Sequence, residues 1–190
     1  MGDTFPVENT STIVLTSPKR HFVDVRLRIP LQKEGGSQQL DWAFAGTSSH
    51  DAAASPPHSV FRHWVDSRHE DAEAVVDEGD MVPSQNPGET VESGSMVNPD
   101  TGVLQPYEEC WLDGEPGPGE ASGGWGVLRV GKEVAVGRWE MVAGAPSWTA
   151  VAEIGGMAGT GFPTGLATTP AVGEKVQAQD GRQWVCLEAW

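Results

Sequence analysis

Cysteine, tyrosine and basic residues are all scarce in this chain. Its 190 residues hold two Cys and one Tyr against eight Trp. Cys110 and Cys186 are too few and too far apart for a metal-ligand or redox motif, and each sits in an apolar, strand-like run. Two buried free thiols in a reducing compartment are expected in preference to a disulfide. Twelve Lys and Arg oppose 27 Asp and Glu, a formal charge of -15. That surplus repels phosphate backbones and anionic lipid, which argues against nucleic acid or a membrane as partner. No apolar run approaches the roughly 18 residues of a membrane span, and Met1 to Glu8 has neither the basic nor the apolar region of a leader. A cytoplasmic location is expected. The Gly-x-Ser-x-Gly elbow, phosphate-binding glycine loop and dinucleotide fingerprint are missing too, so no cofactor is expected. His58, His63 and His69 match no metal-ligand spacing, and no metal is expected. The acidic run Asp66, Glu70, Asp71, Glu73, Asp77, Glu78 and Asp80 lacks the ligand alternation of a calcium loop and reads as a solvated face.

What the chain does have is alternation. Over His21 to Ile29, Val23, Val25, Leu27 and Ile29 fall on one side while Asp24, Arg26 and Arg28 fall on the other, the pattern of a half-buried antiparallel strand. Similar runs at 12–16, 39–45, 60–66, 90–97, 107–112, 125–130, 133–142, 148–154, 174–178 and 183–189 bring the expected total to about ten or eleven strands. Turn signals such as Asn98-Pro99-Asp100-Thr101-Gly102 and Asp180-Gly181 separate them. Glu34-Gly35-Gly36-Ser37 is a further turn signal, loops rich in Gly, Pro and Ser are expected at 48–58 and 113–124, and the one helical candidate is 66–76. The whole, residues 1–190, reads as a single all-β domain, a sandwich or closed barrel with at most one or two short helices.

The tryptophans sit in strands rather than loops. Leu40, Trp42 and Phe44 share one strand face, as do Tyr107, Glu109 and Trp111, and Trp184, Cys186, Glu188 and Trp190. The inward face of a small barrel is either filled by side chains or left as a cavity for one ligand, and a Trp-lined cavity suits a flat apolar molecule. On that view Trp42, Phe44, Trp64, Tyr107, Trp111, Trp139 and Trp184 are the candidate ligand contacts. Asp66 has the parity of Trp64, and Glu109 that of Tyr107 and Trp111. A carboxyl facing an apolar interior has its pKa raised toward the range useful for proton transfer, so Asp66 and Glu109 are the candidate catalytic groups.

Five segments carry a family resemblance. They are Trp42-Ala43-Phe44-Ala45-Gly46-Thr47, His63-Trp64-Val65-Asp66, Tyr107-Glu108-Glu109-Cys110-Trp111-Leu112-Asp113, Val136-Gly137-Arg138-Trp139 and Asp180-Gly181-Arg182-Gln183-Trp184-Val185. Together they resemble the fungal Hri family, lipocalin-like proteins named for an interaction with a casein-kinase-one homologue. The resemblance implies an antiparallel lipocalin-like β-barrel of about ten strands, and it transfers no catalytic residue. Two functions are expected of such a chain. One is a cofactor-free isomerase or cyclase acting on an apolar natural-product intermediate in its lumen. The other is a non-catalytic Hri-like protein that binds a lipid-like ligand or a protein partner such as a kinase.

Overall fold

The computed structural model describes residues 9–29, 40–98, 101–112, 114, 125–130, 133–142, 145–154, 170–178 and 181–189. Those residues form twelve strands: β1 (Thr10–Thr16), β2 (His21–Arg28), β3 (Leu40–Asp51), β4 (His58–Asp66), β5 (Asp77–Pro83), β6 (Glu89–Val97), β7 (Leu104–Leu112), β8 (Trp125–Val130), β9 (Glu133–Val142), β10 (Ala145–Ile154), β11 (Lys175–Gln177) and β12 (Gln183–Ala189). The helical candidate shrinks to a single 3-10 turn at Ala72–Ala74, in which only Ala72 is buried. Its apolar stripe is too thin to anchor a longer helix. The loop expected at 48–58 is also shorter, because Ser48 to Asp51 extend β3 and His58 opens β4. The turn at 34–37 and the loop at 113–124 lie outside the described residues apart from Gly114.

Every strand pairing is antiparallel. Strands β1 to β7 form one sheet in simple chain order, and a second sheet has the order β10-β9-β8-β12-β11. The all-β reading therefore holds. Among the described residues the strands fall into two sheets, with β1 and β7 as the edges of the first.

That first sheet is strongly curled. In a flat sheet, β2 and β7 would be separated by five strand spacings, about 24 Å at ~4.8 Å each. Instead the Arg26 guanidinium of β2 donates to Glu109 Oε1 of β7 at 2.6 Å. The sheet has rolled into a half-barrel, and its inner face is the one that carries Arg26.

Strands β2 and β3 are buried on both faces. Inward, Phe22, Trp42 and Phe44 pack with Phe61 and Met96. Outward, Val23, Ala43, Ala45 and Val65 pack with Leu15, Val25, Trp64 and Leu187, the last from β12 of the second sheet. Glu188, its neighbour, fastens the sheets together: Oε2 accepts from Ser17 Oγ at 2.5 Å and lies 2.7 Å from His21 Nδ1, while Oε1 accepts from the Lys19 amide at 2.9 Å. These bonds outweigh burial and hold the Glu188 pKa below its ordinary value.

One β-bulge reorders the inner face. Phe44 pairs with Asp66 and Ala45 with Val65, but Gly46 pairs with His63, which leaves Trp64 as the extra residue. Across the bulge the parity inverts. Asp66 shares the inner face with His63, and Trp64 turns outward against His21, their ring centroids 5.3 Å apart. Sequence parity had placed Asp66 and Trp64 on the same face. The bulge also requires glycine at position 46, since a Cβ there would overlap the Arg62 carbonyl. Gly46→Ala is expected to cost about 3 kcal/mol, the upper end for overpacking, because the obstacle is backbone. Urea denaturation measures it, and a cost below about 0.5 kcal/mol would show that the two strands separate freely here.

Candidate functional site

The curl encloses a cleft of about 1190 Å³ on the inner face of the first sheet. Its floor is aromatic, with Phe22 as the hub. The Phe22 ring meets Phe44 at 5.9 Å and Phe61 at 5.5 Å between centroids, both edge to face. Met81 and Met96 add to the apolar lining, with Ile13, Val14, Val97 and Leu112 beside them.

Two polar groups face this floor. The first joins β2 to β7. Arg26 donates from Nε and Nη2 to Asp24 and from Nη1 and Nη2 to Glu109. Its guanidinium also lies 5.4 Å from the Trp42 ring centroid and 5.6 Å from that of Phe44. Burial raises the Asp24 pKa to about 6, even though Arg26 pulls the other way. Burial opposes the charge on Arg26 as well, but Asp24 and Glu109 outweigh it and hold its pKa above the ordinary value.

The second group is built on β6 and β7, where Glu92 stands directly opposite Glu109. Glu92 is 4% exposed. Tyr107 Oη lies 2.8 Å from its Oε1, and the Trp111 indole donates to its Oε2 at 2.9 Å. Burial raises its pKa and the nearby Glu109 and Asp77 add to the effect, against the two hydrogen bonds. Tyr107 reaches this position because glycine leaves room for its ring. It pairs with Gly94, which pairs in turn with Gly79, and a Cβ on Gly94 would lie 2.7 Å from the Tyr107 ring. Burial, and then the charge of Glu92, push the Tyr107 pKa up.

Beneath the floor lies a buried triad. His63 stacks on Phe44 with centroids 4.3 Å apart and 16° between planes. Its Nδ1 is 3.0 Å from Asp66 and its Nε2 is 3.0 Å from Asp77. Burial would lower the pKa of His63, but the two carboxylates outweigh it and raise it. Asp66 also accepts from the Trp42 indole at 2.9 Å and from the Arg68 and His69 amides at 2.7 and 3.1 Å. Although burial alone would raise its pKa, these bonds pull it below the ordinary value, the reverse of what sequence parity predicted.

The cleft therefore takes in only part of the candidate set. Phe44, Tyr107, Glu109 and Trp111 line it. Trp42 lies behind the floor, between the guanidiniums of Arg26 and Arg68. Trp64 is on the outer face, and Trp184 is fully buried in the second sheet, with Arg182 stacked 5.8 Å from its ring. Trp139 belongs to β9, and its side chain lies outside the described residues. The sequence reading missed Asp24, Arg26, Asp77 and Glu92. Glu92 was within reach of a register count, since the 98–103 turn that pairs Val97 with Leu104 also sets Glu92 against Glu109. Asp77 had been assigned to a solvated acidic face, whereas it is buried in β5. Both cysteines are free, and Cys110 is exposed where a buried thiol was expected. Among the described residues no group of three or more His, Cys, Asp or Glu is placed to hold a metal ion, and no helix is long and apolar enough to cross a membrane.

A family model described as Protein HRI1 matches residues 1–124. The chain belongs to the HRI1 family. The match ends immediately before β8, so it spans all seven strands of the curled sheet and every cleft residue named above. No curated protein and no solved structure gives a significant match to the chain.

Proposed function

We propose that this HRI1-family protein binds a small, largely apolar molecule in the half-barrel cleft. The observation that carries the reading is the combination of volume and lining: about 1190 Å³ over an aromatic floor, with polar groups converging from β2, β6 and β7. A core built only for stability would fill that space, since protein interiors pack to crystal density. In this reading the curled sheet serves as the cup that a closed lipocalin barrel provides, and Phe44, Tyr107 and Trp111 are the ligand contacts.

A second reading adds chemistry, a cofactor-free isomerisation or cyclisation of the bound molecule. Its support is the pair of carboxyls in the cleft wall whose burial raises their pKa, Asp24 to about 6 and Glu92. Glu109 is adjacent to both. Asp66, with its acceptor sites occupied, serves in this reading to position His63.

The test is titration with N-phenyl-naphthylamine, a neutral apolar fluorophore that brightens out of water. Saturable binding is expected, weakened about tenfold by Trp111→Ala, equivalent to ~1.4 kcal/mol of lost contact. Absence of saturable binding to the native protein would overturn the ligand-binding reading.

A further inference from the structure

Glu92 is a buried carboxyl with an incomplete environment. Both of its hydrogen-bond partners, Tyr107 and Trp111, are neutral, and among the described residues no cationic side chain pairs with it. Arg26, which lines the same cleft, is already held by Asp24 and Glu109. The charged or titratable groups that act on Glu92 are acidic or phenolic, Asp77 on β5 and Tyr107 and Glu109 on β7; Asp24 on β2 also lines the cleft, as do the basic Arg20 before β2 and His50 on β3, neither of which pairs with Glu92. A buried carboxylate needs a counter-ion or a proton.

The hydroxyl of Tyr107 shows how the proton is accommodated. It lies 2.8 Å from Glu92 Oε1 and 3.2 Å from the Glu78 carbonyl oxygen, yet it has one hydrogen to give. With Glu92 protonated, the carboxylic acid donates to Tyr107 and Tyr107 donates to Glu78, so every partner is satisfied. With Glu92 ionised, Tyr107 must donate to the carboxylate, and the bond to Glu78 is lost.

From this cleft-wall geometry, and resting on the ligand-binding reading above, we propose that the molecule taken by the cleft is an amphiphilic amine, its apolar body on Phe22, Phe44 and Phe61 and its protonated nitrogen against Glu92 and Glu109. The ammonium supplies the counter-ion that Glu92 lacks among the described residues. Its arrival converts Glu92 from acid to carboxylate. The Glu92 proton leaves to solvent, the Tyr107 hydrogen turns from Glu78 to Glu92, and the ammonium keeps its own protons, so binding releases up to one proton. Aromatic faces around a cation add further attraction.

Three naphthalene probes of equal body and different charge test this: naphthylmethylamine, naphthylmethanol and naphthoate, titrated calorimetrically into the full chain between about pH 5 and pH 8 in buffers of different ionisation enthalpy. The amine is expected to bind at least tenfold more tightly than the alcohol, and the carboxylate more weakly than either. Proton release should appear at the acid end, and amine affinity should rise with pH. Glu92→Gln should erase the proton release and most of the preference. Glu109→Gln, at a side chain already 29% exposed and with an amide oxygen that still accepts from Arg26, should lower the amine preference, and so serves if Glu92→Gln does not fold. Equal binding of amine and alcohol would overturn the inference and leave the ligand-binding reading standing. An amine preference without proton release would overturn the role of Glu92. Failure of all three probes to bind would overturn both readings.

Discussion

Replacing His63 with alanine is expected to destabilise the protein by about 3–5 kcal/mol, the range for removing one partner of a buried ion pair. The ring is 1% exposed, and each of its nitrogens faces a carboxylate at 3.0 Å. A ring that donates from both nitrogens satisfies both carboxyl groups, and these two partners hold the His63 pKa above its ordinary value against burial. Its loss affects the two acids unequally. Asp66 keeps the Trp42 indole and the Arg68 and His69 amides, whereas Asp77, 8% exposed, has His63 as its one side-chain partner among the described residues. The loss also removes the ring stacked on Phe44. Against a typical total stability of about 5–15 kcal/mol, this is a large share. The pH dependence has a definite sign. The folded pKa of His63 lies above its ordinary 6.5, so the stabilisation is fully present below pH 6.5 and is lost as pH rises through the folded value. The gap between wild type and variant in urea melts should therefore be widest at mildly acidic pH and narrow in alkali. A loss under 1 kcal/mol at every pH would show that solvent already reaches the two carboxylates.

The same triad marks where sequence reasoning stopped. Strands with apolar alternation were legible because one buried face imposes a period of two, and β8, β9 and β12 coincide with the runs read from sequence. β5 was not legible. Its Asp77-Glu78-Gly79-Asp80 start offers no apolar residue to the interior, since its inward positions are a carboxylate satisfied by His63 and a glycine that admits Tyr107. The partners that make those residues acceptable in a strand lie on β4 and β7. The bulge at Trp64 was equally hidden, and one extra residue sent Asp66 and Trp64 to opposite faces. Parity held on β7, which has no bulge, and it correctly brought Tyr107, Glu109 and Trp111 to one wall. Sequence alone does not sort the tryptophans. A large apolar ring fits either face of a sheet buried on both sides, and only packing separates Trp111 in the cleft wall from Trp64 on the outer face and Trp184 in the second sheet.

Arg26 closes the half-barrel, and Arg26→Met is the second substitution expected to cost about 3–5 kcal/mol, in this case near pH 8. Methionine retains an apolar stem over Trp42 and Phe44 but gives up the hydrogen bonds to Asp24 and Glu109, the contact that ties β2 to β7. Most of the loss arises at Asp24, which is 3% exposed and would be left as a buried charge without its cation. In the native protein its folded pKa of about 6 exceeds the ordinary 3.8, so the folded state binds this proton more readily than the unfolded one. The contribution of Asp24 to stability consequently falls as pH climbs from 3.8 to about 6 and is level above that. Removing Arg26 removes the main influence opposing burial, and the folded pKa moves higher still. The decline in the variant then extends to higher pH than in the wild type. At pH 5 the acid is neutral in the variant and little excess cost remains, whereas at pH 8 the full cost is felt. Urea denaturation at the two pH values should show this difference. Adding Asp24→Asn should recover most of the loss at pH 8, because a neutral amide in that position has no charge to bury. A cost that is the same at both pH values, and that Asp24→Asn leaves unrelieved, would assign the effect to lost packing on the Trp42 and Phe44 rings and to the parting of β2 from β7, not to the charge of Asp24.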